Sequence, residues 1–271
     1  MIEPIGFSPF AKLRSRSLIL ALVLAFAVGA FGSFFLGDIG IYIADLILLA
    51  WIMFVISRFN ISLRALVGWI PANYSWWPLI LMAVAMLFYA TGAITVIIYG
   101  VAQVFPEFGN ELLAETLAES RVHLFITTVV LAPILEETIF RGLLFSRLTV
   151  KWGLLTGIMV SSFVFGLLHF ISFIGASVMG VVLCVLYLKT RTLLIPMALH
   201  ALYNFIVFSA TFVESEQMMT QTSPEFWSQF VYQGLIAVMF ASPVVFFLLA
   251  RWWPAAGTPL PYETNLASGK T

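Results

Sequence analysis

The hydrophobic residues of this chain form long runs that are separated by short polar segments. Eight of these runs approach the length that spans a bilayer, which is about 20 residues at 1.5 Å of helical rise each. The sixth run is short at this count. The runs cover residues 17–36, 39–57, 76–100, 122–148, 152–173, 174–188, 192–213 and 229–250. This pattern predicts an all-α polytopic membrane protein with about eight transmembrane helices.

The composition agrees with a membrane location. Hydrophobic residues make up 62% of the 271, and charged residues only 10%, whereas a soluble domain carries roughly 25% charged residues. A net charge of zero, without a cluster of Lys and Arg along the sequence, argues against nucleic acid as a partner. The single cysteine, Cys184, excludes an intramolecular disulfide and a multi-cysteine metal site.

The charges between the runs predict an orientation, because cytoplasmic loops are enriched in Lys and Arg. If the N-terminus is cytoplasmic and the chain crosses eight times, most basic residues fall on that side. They are Lys12, Arg14, Arg16, Arg58, Arg64, Arg147, Lys151, Lys189, Arg191, Arg251 and Lys270. The other side is acidic, with Arg121 as its one base. We therefore predict that both termini are cytoplasmic, and that the membrane is the cell membrane if the source is prokaryotic.

The chain shows no boundary between domains, and we expect a single membrane domain over residues 1–271. Residues 251–271 form a polar, proline-containing C-terminal tail, in which we expect little structure. Residues 107–121 carry acids at four-residue spacing with leucines between them. This spacing predicts a short amphipathic helix on the outer surface.

Three charged residues lie inside the fourth run, in the stretch LAPILEETIFRGLLF over residues 131–145. A charged side chain near the bilayer centre costs about 2.5–3.5 kcal/mol on insertion scales. Glu137 and Arg141 are four residues apart and can pair on one helical face. Glu136 points about 100° away from that face, so the arginine leaves it without compensation. An unpaired intramembrane carboxylate is a candidate functional group.

Histidines in two further runs add to this candidate site. Of the three in the chain, His123 falls at the outer interface, His169 in the fifth run and His200 in the seventh. Asn204 follows His200 by four residues and shares its helical face. Together with Glu136 these groups predict a polar core formed by helices four, five and seven. Such a core supplies a base for water and donors for an oxyanion.

The residues of this core resemble the motifs of a known family. EETIFR (residues 136–141), FGLLH (165–169) and HALYN (200–204) resemble the three motifs of the CAAX-protease and bacteriocin-processing (CPBP or Abi) family of Rce1-like intramembrane peptidases. The motifs occur in the family's order, each within a hydrophobic run. The resemblance covers a catalytic core of about residues 120–215.

The resemblance implies an intramembrane endopeptidase and a role for each motif residue. Glu136 and His169 would activate water, His200 and Asn204 would stabilise the oxyanion, and Glu137 and Arg141 would be supporting residues. The partners would be the lipid bilayer and a peptide or protein substrate, either a lipidated CAAX-type protein or a bacteriocin-related peptide. The second possibility includes a role in immunity to bacteriocins.

The same residues leave two mechanisms open. Two histidines and a glutamate can hold zinc and keep one position open, and the ligands would then be Glu136, His169 and His200. The sequence has no HExxH motif, however, and Asn204 is better suited to an oxyanion than to zinc. We therefore favour a mechanism without a metal or other cofactor.

Other functions remain as alternatives. A proton-coupled transporter also places acids and histidines at mid-membrane, but the site residues lie in one half of the chain and no inverted repeat is visible. A catalytically idle scaffold would not need the complete motif set. Asp45, about two turns from the outer interface, is expected to snorkel or to pair with a neighbouring helix. Gly175 and Gly180 are expected to allow close helix packing, and Pro133 to kink the fourth helix.

Overall fold

The computed structural model describes residues 8–105, 125–214 and 224–269 of the chain. Their main elements are the helices α1 (Ser15–Leu36), α2 (Asp38–Arg58), α3 (Leu63–Val67), α4 (Trp77–Val104), α5 (125–152), α6 (Leu154–Leu167), α7 (Phe173–Thr190), α8 (Leu194–Glu214), α9 (Pro224–Trp252) and α10 (Pro261–Ala267). Short 3-10 turns lie at Pro9–Lys12 and Phe170–Ser172. No strand occurs in the described ranges.

The predicted fold class is confirmed. Within the described residues, five helices are long and apolar enough to cross a membrane, namely α1, α2, α4, α7 and α9. Helices α6 and α8 are shorter apolar helices. Helix α5 combines two π-helical segments with two α-helical ones, and it corresponds to the fourth predicted run. The chain is therefore an all-α polytopic membrane protein.

Helix α5 alternates between two helix types. The π segments are Phe125–Leu131 and Thr138–Phe145, and the α segments are Ala132–Glu137 and Ser146–Trp152. Pro133 lies in the first turn of an α segment, directly after a π segment. The proline thus marks a change of hydrogen-bonding pattern, because it has no N–H to donate.

Helix α7 is shared by two hydrophobic clusters. Its residues Cys184 and Tyr187 pack in a cluster with α1, α2, α5 and α6. Its residues Met179 and Leu183 pack in a second cluster with α4, α8 and α9. Helix α7 therefore joins the two clusters, and it packs against α5 through the first of them.

Small residues let α7 approach its neighbours, as predicted. A Cβ added to Gly175 would lie 2.7 Å from the Cβ of Ala90 on α4, and one added to Gly180 would lie 2.8 Å from the Cα of Ser162 on α6. Neither glycine can carry a side chain without displacing a helix.

The expectation of little structure in the C-terminal tail was wrong. Residues 261–267 form α10, which begins with Pro261 at its first position, where proline is favoured. Asn265 donates to the carbonyl oxygens of Ala65 at 2.8 Å and Arg191 at 2.9 Å. The Tyr262 hydroxyl accepts from the N–H of Ser62 at 3.1 Å. These contacts hold α10 against α3 and the α7–α8 turn, an arrangement that a polar composition does not reveal.

Two predictions fall on other parts of the chain. The amphipathic helix over residues 107–121 and the interfacial position of His123 lie outside the described residues.

Candidate active site

Three parts of the fold bring the predicted catalytic residues together. Helix α5 carries Glu136, the turn after α6 carries His169, and α8 carries His200 and Asn204. Oε2 of Glu136 lies 4.0 Å from Nε2 of His169 and 3.9 Å from Nε2 of His200. Asn204 lines a small cavity together with both histidines. The four residues that the resemblance implicates in chemistry are therefore neighbours.

His169 lies outside a helix, which corrects its predicted position in the fifth membrane helix. Helix α6 ends at Leu167, and the 3-10 turn Phe170–Ser172 follows His169 directly. Phe170 has a positive φ of 41°, which a continuing right-handed helix does not have. The chain reverses here towards α7. The reversal leaves the imidazole at the end of a helix, beside Glu136.

Backbone contacts fix the ring of His169. Its Nδ1 lies 2.7 Å from the carbonyl oxygen of Phe165, and a carbonyl can only accept, so Nδ1 carries the hydrogen. In the neutral ring, Nε2 then presents its lone pair on the side of Glu136. The Ser172 hydroxyl donates to the carbonyl oxygen of His169 at 3.0 Å. The bond at Nδ1 gives His169 the tautomer that a proton acceptor at Nε2 needs.

Glu137 is the centre of a buried ionic network. Its Oε1 accepts from Nη1 of Arg141 at 2.8 Å, which confirms the predicted pair. The same oxygen lies 3.0 Å from Nδ1 of His200. The side chain of Glu137 is fully buried. Sequence reasoning missed the contact between Glu137 and His200, because it joins residues that are 63 positions apart.

The carboxylate of Glu137 also orients His200. An ionised carboxylate only accepts hydrogen bonds, so Nδ1 of His200 donates and Nε2 is directed towards Glu136. A buried carboxylate that accepts from Nδ1 of a histidine selects the tautomer of the ring and fixes its orientation.

The guanidinium of Arg141 is covered on several sides. Its Nη2 donates to the carbonyl oxygen of Gly180 at 3.4 Å. Its Cζ lies 4.4 Å from the centre of the Phe165 ring, a distance typical of a cation–π contact. The ring of Phe165 also lies 4.4 Å from that of His169 and 5.9 Å from that of His200. Phe165 therefore packs against Arg141 and against both histidines.

Glu136 differs from Glu137 in exposure and in partners. Its side chain is 27% exposed, and its buried Oε2 has no hydrogen-bond partner in the described parts of the chain. Two groups that each hydrogen-bond to one water at about 2.8 Å lie roughly 4 to 4.6 Å apart. The distances of 4.0 and 3.9 Å from Oε2 to the two imidazoles lie at the lower end of this spacing. One water can therefore contact Glu136 and both histidines.

Asn204 is held by a carbonyl in the first π segment of α5. Its Nδ2 donates to the carbonyl oxygen of Thr128 at 2.7 Å. In π-type pairing this carbonyl would receive the N–H of the residue five positions later, which is Pro133 and has none. The proline thus leaves the carbonyl able to orient the carboxamide, whose second N–H is not used by this bond.

A cavity of about 400 Å³ opens onto Glu136 and His169. Its other walls are mostly apolar residues of α1 and α2, with Phe140 and Leu168. Asp45 of α2 also lines this cavity, a placement that the sequence interpretation did not foresee. An acid within a hydrophobic run was the available signal, but Asp45 belongs to none of the three motifs.

The placement of these side chains does not fit a zinc ion. No group of three or more His, Cys, Asp or Glu among the described residues is arranged to hold a metal. Two atoms that bind one tetrahedral zinc at about 2.0–2.1 Å lie roughly 3.3 Å apart. Glu136 and the two histidines are more widely spaced, at 3.9 and 4.0 Å. We therefore derive no step through a metal.

Comparison with known proteins finds a similarity to one family. Residues 118–206 match the family model described as Type II CAAX prenyl endopeptidase Rce1-like. No curated protein and no solved structure matches the chain. The matched range contains all three motifs and every residue of the site that lies on α5, α6 and α8. Over residues 118–206, the chain is therefore similar to the CAAX protease family.

Proposed function

We propose that this protein is an intramembrane endopeptidase in which Glu136 and His169 activate a water molecule. The observation that carries this proposal is the unpartnered Oε2 of Glu136, which lies 4.0 and 3.9 Å from two imidazole Nε2 atoms. The family match supports a peptidase of the CAAX type. A water between these three groups has one acceptor for its proton and further groups that hold its orientation.

The reaction follows from these positions. Glu136 takes one proton from the water, while Nε2 of His169 accepts a hydrogen bond from the O–H that remains. The resulting hydroxide forms a bond to the carbonyl carbon of the peptide, and the carbonyl electron pair moves onto its oxygen. When the tetrahedral intermediate collapses, the C–N bond breaks and the proton held by Glu136 passes to the leaving nitrogen. The products are a carboxylic acid and an amine.

His200 and Asn204 stabilise the negative oxygen of the intermediate. Glu137 accepts a hydrogen bond from Nδ1 of His200, and in the imidazolium form Nε2 carries a hydrogen that can be donated to the oxyanion. Asn204 offers the N–H that its bond to Thr128 does not use. Donors fixed in this way before the reaction need no reorganisation when charge develops, which is the main advantage of an oxyanion hole.

Glu137 and Arg141 act through His200. Arg141 compensates the buried charge of Glu137, and Glu137 in turn holds His200. A carboxylate that is buried and paired in this way costs less free energy to bury than an isolated one. The pair is therefore a positioning unit for the oxyanion donor.

The large cavity is the binding site of the substrate in this proposal. Its walls from α1 and α2 are mostly apolar, and it reaches Glu136 and His169, so a peptide with an apolar segment can present its scissile bond there. Prenylated CAAX-type proteins and bacteriocin-related peptides are the two substrate classes we propose. The predicted orientation places the entrance of the site towards the cytoplasm.

Cleavage of a peptide library by the purified protein in detergent tests this function. The library contains matched prenylated and unmodified peptides, and mass spectrometry identifies the cleaved bond. We expect new termini with the wild-type protein and none with Glu136→Gln. Glu263→Gln, at an exposed position on α10, is the matched control and keeps full activity. Absence of cleavage by the wild-type protein across the library would contradict the proposal.

A further inference from the structure

A second, smaller cavity is lined by both histidines of the site. It has a volume of about 60 Å³ and is enclosed by α4, α7, α8 and the turn after α6. His169 lines both this cavity and the large one, whereas Glu136 lines only the large one and His200 only the small one. The water position between these three residues is thus at the boundary of the two cavities.

The small cavity has polar groups with unused hydrogen-bonding capacity. Tyr203 lines it, and within the described ranges its hydroxyl makes no hydrogen bond. The Ser172 hydroxyl donates to a carbonyl but can still accept, and Asn204 has one N–H and its amide oxygen to offer. Polar groups within a membrane bundle are tolerated where they contact protein or water. The lining therefore favours water over an apolar group.

The volume of the small cavity sets what it can hold. At about 30 Å³ for each molecule it has room for roughly two waters, and it is too small for a peptide segment. Its polar partners supply the two to four hydrogen bonds that a buried water needs.

We propose that this small cavity is a water-binding site that supplies the nucleophile of the reaction. This inference rests on the proposed function. A substrate in the large cavity covers Glu136 and His169 from that side and blocks the entry of water through it. Hydrolysis consumes one water in each turnover, so the next one must enter by another route. The small cavity, which both histidines line, provides that route.

Radiolytic labelling detects this water without relying on activity. X-ray pulses produce hydroxyl radicals from ordered waters, and in H2¹⁸O these radicals oxidise the side chains in contact with them. Met179 lines the small cavity and is otherwise buried. We expect labelling of Met179 in the wild-type protein and at least a fivefold loss in Ala176→Leu, whose three added carbons fill the cavity. Met82, equally buried in α4, is the control and stays unlabelled.

Kinetics with a cleaved peptide then test the supply role. Ala176→Leu is expected to lower kcat at least tenfold and to leave KM within twofold. Ala241→Leu makes the same change at a buried alanine beside a cavity formed by α4 and α9, and it should leave both constants unchanged. Tyr203→Phe, which keeps the volume of the side chain, covers the case that Ala176→Leu fails to fold. It should lower kcat about three- to tenfold and reduce the labelling of Met179.

The outcomes separate the two proposals. Labelling of Met179 no stronger than that of Met82 would overturn the water site. So would a rise in KM with unchanged kcat in Ala176→Leu, because the cavity would then bind part of the substrate. A wild-type protein that labels at Met179 but cleaves no peptide would instead contradict the proposed function and retain the water site.

Discussion

Two adjacent glutamates divide the site into an open side and a closed side. On the open side, Glu136 and His169 are 27% and 31% exposed and face the large cavity. On the closed side, the side chains of Glu137, Arg141 and His200 are 0%, 1% and 5% exposed and bind one another. In the proposed mechanism, the same residue type serves for chemistry at one position and for support at the next. The helical rotation of about 100° between neighbours separates the two environments.

The comparison shows how a membrane protein accommodates several charges at one depth. The closed side compensates its charges through an ion pair, a carbonyl and a cation–π contact, although Oε2 of Glu137 and Nε of Arg141 have no hydrogen-bond partner among the described residues. On the open side, Oε2 of Glu136 also has no hydrogen-bond partner, and within the described residues only the two imidazoles, at 4.0 and 3.9 Å, lie within ion-pair distance of it. A carboxylate without a Lys or Arg partner is costly to retain in a membrane bundle, so its presence indicates a function.

The largest effect should come from the open side. Glu136→Gln removes the only carboxylate of the proposed water site, which is its proton acceptor. General-base catalysis typically contributes about 10²–10⁴-fold. We expect turnover to fall by at least 10³-fold, with unchanged thermal unfolding in detergent. Retention of more than a small fraction of wild-type turnover would exclude Glu136 as the base.

Loss of Asn204, the proposed oxyanion donor, should give the next largest effect. Asn204→Ala removes a donor to the developing charge, which typically costs about 10²–10³-fold in kcat. It also removes the bond to Thr128, so a modest fall in thermal stability accompanies it. The control is Ser209→Ala, which removes an exposed hydroxyl bond farther along α8 and should leave turnover unchanged. Equal turnover in Asn204→Ala and the wild type would remove Asn204 from the oxyanion hole.

Breaking the closed side should reduce stability as well as turnover. Removing one partner of a buried pair typically costs about 3–5 kcal/mol, whereas replacing both can be nearly neutral. Arg141→Leu and Glu137→Leu should each lower the thermal unfolding temperature, and the double variant should recover part of that loss.

The contact of Glu137 with His200 makes turnover a second measurement for these three variants. In the double variant Nδ1 of His200 has lost its carboxylate, so turnover should stay low even where stability returns. Recovery of turnover together with stability would show that Glu137 does not position His200. A double variant no more stable than the singles would mean that the two residues are not an energetic pair.

A smaller effect is expected where α7 supports the closed side. Gly180→Ala places a Cβ 2.8 Å from the Cα of Ser162, and overpacking of this kind typically costs about 1–3 kcal/mol. The shift of α7 also moves the carbonyl that Arg141 contacts. Gly100→Ala, where an added Cβ meets no atom within 4 Å, should leave thermal unfolding unchanged. Equal thermal stability of Gly180→Ala and Gly100→Ala would contradict this expectation.

The smallest effect should follow removal of metal ions. If Glu136 and His169 activate water without a metal, dialysis against a chelator should change turnover by less than about twofold. Elemental analysis of the active protein should then show well below one zinc for each chain. Loss of activity that stoichiometric Zn²⁺ restores would instead assign Glu136, His169 and His200 as zinc ligands.

The sequence alone determined the membrane helices and one local pair. Runs of apolar residues predicted α1, α2, α4, α7 and α9 closely, because bilayer thickness sets the length of such helices. The pair of Glu137 with Arg141 was predictable because a separation of four residues brings side chains together within one helix. The motifs also identified which polar residues to examine.

Only the tertiary structure decided how those residues meet. The contact of Glu137 with His200, the placement of Asp45 on the wall of the large cavity and the bond from Asn204 to Thr128 all join separate helices. Helical periodicity states which residues share a face but not which face meets which. The reversal at His169 and the docking of α10 likewise depend on contacts distant in sequence. The physical reason is that packing between helices fixes these positions, and the pattern of residues along the chain does not specify which helices pack together.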